Sequence, residues 1–386
     1  MEAAELELAL PLLREWVAQR RDRWRAALEE LVRCESPSGD QAGLNDCLEI
    51  VRRLFAASGA TAEGDPHQGG EVPWLRLRWG QGPRPGLLLL GHLDTVWDRG
   101  TFQPLFEVAQ DRASGPGVFD MKGGVVVALA ALEGLREQGA GGRLTLLLTG
   151  DEEVGSQASR QLIELEARRS SAVLVLEPPL GRSVKVARKG TGGYRITVRG
   201  RAAHAGLDPE LGVNALLGIA PLVSQVAALS RPELGTTVSP TRLTGGTRTN
   251  VIPAEAHLDL DVRFGSASEA VRVDDAVHQL LPGVPGAQLE VAGGINRPPF
   301  EAQSSRQLFA VAQEVARHLE GLELAGAAVG GASDGNFTAA LGVPTLDGMG
   351  IVGGNAHAQG EWADLASIPE RAGLLAGCIA ALWRTP

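Results

Sequence analysis

Four short clusters of histidine and acidic residues adjoin apolar segments in the first half of the chain. Histidine, aspartate and glutamate without cysteine form a hard-to-borderline ligand set. Such a set favours Zn²⁺ with an open catalytic position over a closed structural zinc site. The clusters supply the side chains of His92, Asp94, Asp120, Glu152, Glu153 and Glu177.

Two of the clusters contain pairs whose spacing suggests divided roles. His92 and Asp94 are two residues apart, so near a strand end both side chains point to the same side. A metal-bound imidazole usually needs a carboxylate or carbonyl on its other nitrogen, and Asp94 fits this supporting role better than a ligand role. Adjacent Glu152 and Glu153 repel each other unless a metal or a proton compensates one of them. This favours one ligand and one general base, without indicating which is which.

Buried parallel strands are the elements that would position these clusters. Continuous apolar runs occupy 87–90, 144–148 and 172–176, and a helical stretch at 123–137 separates the first two. This alternation predicts an α/β domain with a mostly parallel sheet. Ligands bind outside the carboxyl ends of strands in open α/β sheets, so we expect the clusters to converge there.

The pattern of residues changes after about residue 184. Segments 194–199 and 256–264 alternate apolar and polar residues, as half-covered strands do, and 214–229 has the pattern of a helix. These features predict a smaller α+β domain inserted into the first one. We therefore predict a two-part catalytic zinc domain and one inserted domain, with the bounds 1–184, 298–386 and 185–297.

Each cluster alone also has a non-catalytic interpretation. A His-x-Asp sequence is common in surface turns and core pairs, and adjacent glutamates usually lie on solvated faces. Glu177-Pro178 can simply end a strand. The catalytic hypothesis depends on the presence of four such clusters beside apolar runs in one half of the chain.

Five motifs occur in an order that resembles a known enzyme family. They resemble those of the dinuclear zinc aminoacylase/carboxypeptidase family, which includes acetylornithine deacetylase, succinyl-diaminopimelate desuccinylase, dipeptidases and bacterial glutamate carboxypeptidase. Five ordered motifs are highly specific. The resemblance implies that the inserted domain is a ferredoxin-like dimerisation or lid domain. The motifs are GHLDTV at 91–96, GPGVFDMKGG at 115–124, GDEEVGS at 150–156, LEP at 176–178 and GGNAH at 353–357.

The resemblance implies two Zn²⁺ ions per subunit, for which Co²⁺ or Mn²⁺ could substitute. It distinguishes the adjacent glutamates, with Glu152 as the general base and Glu153 as a ligand, and it gives Asp94 the role of orienting His92. It also adds His357, which the strand pattern does not single out. The implied ligands are a bridging residue, Asp120, and two pairs, His92 with Glu177 and Glu153 with His357.

The inserted segment carries residues with implied substrate contacts. His204 matches a histidine that in relatives reaches across a dimer and helps to bind the substrate carbonyl oxygen, where a donor would stabilise an oxyanion. A capping or core role is the alternative. Asn250 matches a lid residue that contacts substrate. Arg263 matches a residue that holds the substrate carboxylate, with a salt bridge to Asp261 or Asp259 as the alternative.

Within the family, segments 204–217, 261–264 and 296–300 are most similar to glutamate carboxypeptidase. Lys185 and Arg297 fall where that enzyme has basic groups suggested to read a glutamate side chain. Segment 330–337 departs from it and looks like other amidohydrolase relatives. We expect hydrolysis of N-acyl amino acids or C-terminal amino-acid amides, with glutamate favoured. The alternatives are an acetylornithine-deacetylase-like or aminoacylase-like deacylase and, remotely, a non-catalytic binding protein on the same fold.

Composition limits the other classes of function. The 386 residues carry a formal net charge of −10, which argues against general binding to nucleic acid or anionic membranes. The three cysteines form neither a disulfide framework nor a C-x-x-C pair. The N-terminus lacks the basic region of a secretory signal, and the apolar run 125–132 is far shorter than the ~20 residues that span a bilayer. We expect a cytoplasmic enzyme of small substrates, and the resemblance implies a homodimer.

Overall fold

The structure is a computed structural model that describes residues 3–63, 72–81, 85–319 and 322–384. The chain divides into two compact units. Unit 2 consists of Arg188–Glu301 and Val329–Ala332, and unit 1 contains the rest of the described chain. The inserted domain predicted from sequence spans 185–297. The catalytic and dimerisation roles assigned to the two parts stay predictions.

The described residues contain ten α-helices and sixteen strands. The helices are α1 Ala3–Ala18, α2 Arg21–Arg33, α3 Gln41–Ala56, α4 Gly123–Glu137, α5 Arg160–Arg168, α6 Ala215–Ala227, α7 Ala267–His278, α8 Arg306–Arg317, α9 Gly335–Ala340 and α10 Ile368–Leu382. The strands are β1 Thr61–Glu63, β2 Leu75–Trp79, β3 Gly86–His92, β4 Glu107–Ala109, β5 Arg112–Ser114, β6 Leu144–Thr149, β7 Ser170–Val175, β8 Val184–Arg188, β9 Gly190–Arg199, β10 Thr237–Gly245, β11 Glu255–Phe264, β12 Gln288–Arg297, β13 Gly326–Val329, β14 Thr345–Leu346, β15 Gly353–Gly354 and β16 Trp362–Asp364.

Unit 1 is built on a six-stranded sheet in the order β1-β2-β6-β3-β7-β14. Strands β6, β3, β7 and β14 are parallel, and β2 and β1 extend the sheet antiparallel at one edge. Leu87 and Leu89 of β3 join a large core with α4 and α10, whereas Leu88 and Leu90 join a smaller core with α5 and α9. Both faces of the strand are covered, which is why β3 is a continuous apolar run. The predicted α/β class with a mostly parallel sheet is confirmed.

Unit 2 contains an antiparallel sheet in the order β10-β11-β9-β12. With α6 between β9 and β10 and α7 between β11 and β12, the chain follows the βαββαβ path of a ferredoxin-like fold. Buried and half-buried residues alternate along β11, and its buried side chains share one hydrophobic core with residues of α6 and α7. The alternating pattern of 256–264 in the sequence is therefore a strand with one covered face, as predicted.

The segment Leu365–Leu382, mostly helix α10, has the length and hydropathy of a membrane span, but 78% of it is buried within the protein. Its apolar residues belong to the large core of unit 1. The hydropathy of this helix is therefore accounted for by packing against other elements of unit 1.

Candidate metal centre

Three neighbouring parallel strands of unit 1 deliver acidic and histidine side chains to one edge of the sheet. His92 is the last residue of β3, the Glu152-Glu153 turn follows β6, and Glu177 follows β7. Strand β3 lies between β6 and β7, so the three segments are adjacent in space. Parallel strands place their carboxyl ends at the same edge, which is the physical reason for the convergence.

Asp94 organises this edge from a fully buried position. The backbone N–H groups of Glu152 and Glu153 donate to its Oδ1 and Oδ2 atoms at 3.1 and 3.0 Å. Ser38 donates to Oδ2 at 2.7 Å. The Nδ1 atom of His92 lies 3.0 Å from the backbone oxygen of Asp94 and 3.3 Å from Oδ1. Asp94 therefore fixes both the imidazole ring and the turn that carries the two glutamates.

The other nitrogen of His92 tests whether the residues fit a metal. Its Nε2 atom is buried and makes no hydrogen bond. It lies 3.5 Å from Oδ1 of Asp120 and 3.5 Å from Oε1 of Glu177. A buried polar atom without a hydrogen bond is costly in a folded protein. An imidazole nitrogen that faces two carboxylate oxygens, with its other nitrogen held by Asp94, has the surroundings of a metal ligand.

Asp120 faces a second histidine with its other oxygen. Its Oδ2 atom lies 3.4 Å from Nε2 of His357, and the same nitrogen lies 3.1 Å from Oε1 of Glu153. The two oxygens of one carboxylate thus point towards two different imidazoles. This is the arrangement that a carboxylate needs if it is to bridge two cations, and the residues fit a dinuclear centre.

Grouping the possible ligand atoms by distance alone gives a slightly different division from the facing contacts described above. Ligand atoms within 4.8 Å of one another occur, among the described residues, in two sets: His92, Asp120 and Glu153, and His92, Glu152 and Glu177. His357 belongs to neither set. The contacts of His357 carry more information about pairing, because they specify the facing atoms. The second set shows that Glu152 also lies within reach of the metal-ligand atoms.

The electrostatics of the centre favour cations. Burial opposes protonation of His92, but nearby carboxylates, Asp120 above all, raise its pKa well above the usual value. Asp120 and Glu153 raise the pKa of His357 to about 10. Burial favours the neutral acid at Asp120, yet the facing imidazoles of His357 and His92 lower its pKa. Burial raises the pKa of Glu153. Clustered carboxylates therefore create a negative field that protons or metal ions must compensate.

Two predicted substrate-binding residues have partners within their own unit. Lys185 of unit 1 lies beside the centre, with Nζ 4.0 Å from Oε2 of Glu177. Arg263 of unit 2 donates to both carboxylate oxygens of Asp261 at 3.0 and 2.9 Å. This is the salt bridge that the alternative interpretation of Arg263 predicts, and its role in binding substrate stays a prediction.

The other predicted substrate-binding residues also belong to unit 2. Arg297 is buried at the end of β12. His204 and Asn250 are exposed, and the backbone of His204 pairs with that of Val251. The Nδ1 atom of His204 accepts the N–H groups of the two residues at 206 and 207 at 3.1 and 3.0 Å. In the neutral ring this leaves Nε2 as a hydrogen-bond donor.

Two residues near the centre escape sequence reasoning. Ser38, which supports Asp94, lies in a Ser-Pro-Ser-Gly stretch that reads only as a break between helices. Glu361 is 1% exposed and contacts the backbone around Asp120. Its spacing of four residues after His357 is the one available signal, and glutamate is almost never buried without a partner.

Comparisons with known sequences identify one family. The sequence profile of Peptidase family M20/M25/M40 matches residues 88–381. Carboxypeptidase G2 from Pseudomonas sp. (strain RS-16) is 32% identical, over 89% of this chain and 85% of that protein. A succinyl-diaminopimelate desuccinylase from Parvibaculum lavamentivorans is 27% identical, over 89% of this chain and 91% of that protein.

Solved structures agree on the fold. A tripeptidase from Staphylococcus aureus subsp. aureus Mu50 superposes with a TM-score of 0.74 at 21% identity, covering 95% of this chain and 99% of that chain. A dinuclear metal binding peptidase of the M20 family from Bacillus subtilis gives a TM-score of 0.69 at 15% identity, covering 96% and 99%. The architecture predicted from the motifs is thereby confirmed.

Proposed function

Since the chain belongs to peptidase family M20/M25/M40, a family of metal-dependent hydrolases, we propose that it is a dinuclear zinc enzyme that cleaves the amide bond of N-acyl amino acids or C-terminal amino-acid amides, with glutamate favoured. One observation carries the proposal. The two oxygens of Asp120 face two different imidazoles, with Oδ1 3.5 Å from His92 and Oδ2 3.4 Å from His357. A structural salt bridge needs one such partner, whereas a bridging ligand needs both.

The proposed ligands divide into two sets that share Asp120. His92 and Glu177 would hold one ion, and Glu153 and His357 the other. When bound, two Zn²⁺ ions would polarise the amide carbonyl and lower the pKa of a water molecule. Co²⁺ or Mn²⁺ would suit the same nitrogen and oxygen ligands, because metal availability decides more than raw affinity does.

Glu152 is the proposed general base. It is buried, and the hydrogen bond from its backbone N–H to Asp94 fixes its position beside the ligands. Its carboxylate would take a proton from the attacking water and pass it to the leaving amine nitrogen. Its neighbour Glu153 faces His357 instead, so the chain directs two adjacent carboxylates to different tasks.

Preference for glutamate is supported by positive charge and by similarity. Lys185 lies beside Glu177 at the centre, and Arg297 of unit 2 is the second proposed group that reads the side-chain carboxylate. Identity of 32% with a carboxypeptidase supports the carboxypeptidase branch of the proposal. The second candidate, a deacylase, is favoured by 27% identity to a desuccinylase over about nine-tenths of both chains.

A cytoplasmic homodimer is part of the proposal. Unit 2 exposes several large apolar side chains and the edge strand β10, which suits a partner surface; these side chains are Leu207, Leu211, Leu217 and Leu243. His204 of one subunit would donate to the substrate carbonyl oxygen at the centre of the other. The three cysteines are free thiols, as in proteins of reducing compartments.

The decisive experiment combines metal analysis with a substrate panel. Purified protein should contain close to two metals per chain, and chelation should abolish hydrolysis. N-acyl-glutamate, N-acetylornithine, N-succinyl-diaminopimelate and neutral N-acyl amino acids should be compared by kcat/KM. If N-acyl-glutamate is the best substrate, the carboxypeptidase branch is supported. If another substrate is best, the proposed specificity is wrong but the proposed mechanism still holds. Metal-free protein that no metal restores to activity would refute the proposal.

The role of Lys185 can be separated from the general reaction. Lys185→Ala should lower kcat/KM for the glutamate substrate more than for a neutral N-acyl amino acid. Lys189→Ala is the matched control, since it removes a nearby lysine that the proposal does not use. An equal loss on both substrates would assign Lys185 to the metal centre and not to specificity.

A further inference from the structure

Glu361 is a buried carboxylate that the proposed reaction does not use. It immediately precedes β16, follows His357 by four residues and is 1% exposed. It accepts four hydrogen bonds from the neighbouring segments. Its Oε1 atom accepts hydrogen bonds from the backbone N–H groups of Phe119 at 2.9 Å and Asp120 at 3.1 Å. Its Oε2 atom accepts hydrogen bonds from the backbone N–H of Gly117 at 3.3 Å and from the indole N–H of Trp97 at 3.2 Å.

This use of a carboxylate is expensive for simple structural support. Burying an ionised group destabilises a protein unless hydrogen bonds replace the hydration of that group. The advantage of a carboxylate here is its acceptor capacity, because its two oxygens are joined in one rigid plane and carry no hydrogen that would face a donor. All four donors at this position are N–H groups, so a glutamine would turn its own NH₂ group towards two of them.

Glu361 also connects the two segments that carry facing ligands. Its side chain holds the backbone at Asp120, and its own chain continues from the loop that contains His357. The backbone oxygen of Glu361 accepts the hydroxyl of Ser114 at 2.7 Å, and Trp362 pairs with Ser114 between β16 and β5. The backbone of Glu361 is therefore fixed by β5, and its side chain links the segment of Asp120 to the loop of His357, whose facing atoms lie 3.4 Å apart.

We propose that Glu361 is a positioning residue for the Asp120–His357 half of the metal centre. It fixes the backbone at Asp120 so that one carboxylate oxygen faces His357 while the other faces His92. The inference depends on the proposed dinuclear centre. It predicts that loss of these acceptor bonds weakens both metal positions, because both use Asp120. The larger loss is expected at the position that also uses His357, since Glu361 belongs to the same loop as His357.

The test is metal binding by Glu361→Gln, measured apart from activity. Metal-free protein is titrated with Zn²⁺ by calorimetry, and the visible absorption of the Co²⁺-loaded protein is recorded. Wild type should bind two ions per chain. Glu361→Gln should bind the second ion about 10–100-fold more weakly, as for other residues that orient metal ligands, and should bind the first with a smaller loss of affinity. The Co²⁺ spectrum should change in parallel.

Two further variants separate positioning from folding. Trp97→Phe removes one donor to Oε2 and leaves the hydrogen bonds from the backbone of Phe119 and Asp120 to Oε1. Its two metal affinities should therefore match those of wild type, even if its melting temperature falls. Glu361→Asp keeps the charge but is one methylene shorter, and should weaken binding of the second ion as Glu361→Gln does. Folded Glu361 variants with two wild-type affinities would overturn the inference. Wild type that binds fewer than two ions would instead contradict the proposed function.

Discussion

Adjacent glutamates acquire different roles from different neighbours. The carboxylate of Glu153 contacts His357, and that of Glu152 groups with His92 and Glu177. Asp94 holds the backbone N–H groups of both residues, so neither side chain can exchange places with the other. The two residues have the same chemical type, and only their positions separate the proposed base from the proposed ligand.

Exchange of each glutamate for glutamine tests this separation. Glu152→Gln should lower kcat by about 10²–10⁴-fold with metal content unchanged, because only proton transfer is lost. Glu153→Gln is the matched variant and should lower the metal content, because a carboxylate ligand is lost. The measurements are kcat and elemental analysis of the same preparations. Near-normal turnover of Glu152→Gln, or loss of metal from it, would show that the roles are assigned wrongly.

Metal binding should release protons near neutral pH. Asp120 and Glu153 raise the pKa of His357 from 6.5 to about 10, and the carboxylates also raise the pKa of His92. In metal-free protein, the protonated histidines interact with these carboxylates and stabilise the fold. This stabilisation is complete below pH 6.5, and the part due to His357 is lost as the pH rises through about 10. A histidine ligand must be neutral, so metal uptake displaces its proton and weakens as the pH falls.

Calorimetry at pH 7.5 in two buffers of different ionisation enthalpy measures this release. The apparent enthalpy of Zn²⁺ binding should differ between the buffers, and His357→Gln should reduce the difference. Equal enthalpies in both buffers would mean that the histidines are already neutral in the metal-free protein.

At the scale of elements, the glycines of the second motif allow helix α4 to approach the sheet closely. A Cβ atom on Gly124 would lie 2.0 Å from the backbone oxygen of Leu176. Leu176 follows β7 and immediately precedes the proposed ligand Glu177. The Gly-Gly sequence after Asp120 is therefore a packing requirement that joins the start of α4 to the end of β7, and through it to the metal centre.

Gly124→Ala should damage both the fold and the centre. Because the obstructing atom belongs to the backbone, the helix must shift, and we expect a loss of about 1–3 kcal/mol in the free energy of unfolding together with weaker metal binding. Gly141→Ala is the control, since its Cβ atom meets nothing within 4 Å. Urea denaturation of both variants measures the effect. Equal stability of the two would show that the contact at Gly124 is readily relieved.

At the scale of the whole molecule, the residues proposed for metal binding and those proposed for substrate binding lie mostly in different units. All the proposed metal ligands and the base belong to unit 1. Unit 2 holds His204, Asn250, Arg263 and Arg297, and an exposed apolar surface that includes Leu217 of α6 and Leu243 of β10. This surface is the candidate for pairing with a second copy of the chain.

Charge on this surface should dissociate the proposed dimer. The double variant Leu217→Glu with Leu243→Glu should shift the molar mass from two chains to one, because the charges would lose their hydration in the interface. Light scattering after size exclusion measures the mass. Leu12→Glu, on a 61% exposed leucine of unit 1, is the control and should stay dimeric. If His204 acts across the dimer, the monomer should also lose activity. A monomeric wild type would refute this part of the proposal.

Ligand chemistry and the main α/β architecture were predictable from the order of residues. Apolar runs followed by acidic or histidine residues indicate parallel strands, and parallel strands bring their carboxyl ends together, so His92, Glu152 and Glu177 could be placed at one edge. Strands β9 and β11 were likewise visible as alternation along 194–199 and 256–264. His357 was found through family resemblance alone, because it follows a glycine-rich loop and not a strand.

Only the tertiary structure decided which atoms face each other. Sequence spacing constrains neighbours within one element, but contacts between distant segments depend on how the elements pack. Glu361 and Asp120 are 241 positions apart and meet at 3.1 Å, and no periodicity in either segment predicts that contact. Packing geometry also sets three other contacts. These are the hydrogen bonds of Asp94 to the backbone of both glutamates, the approach of the two Asp120 oxygens to two histidines, and the salt bridge of Arg263 with Asp261.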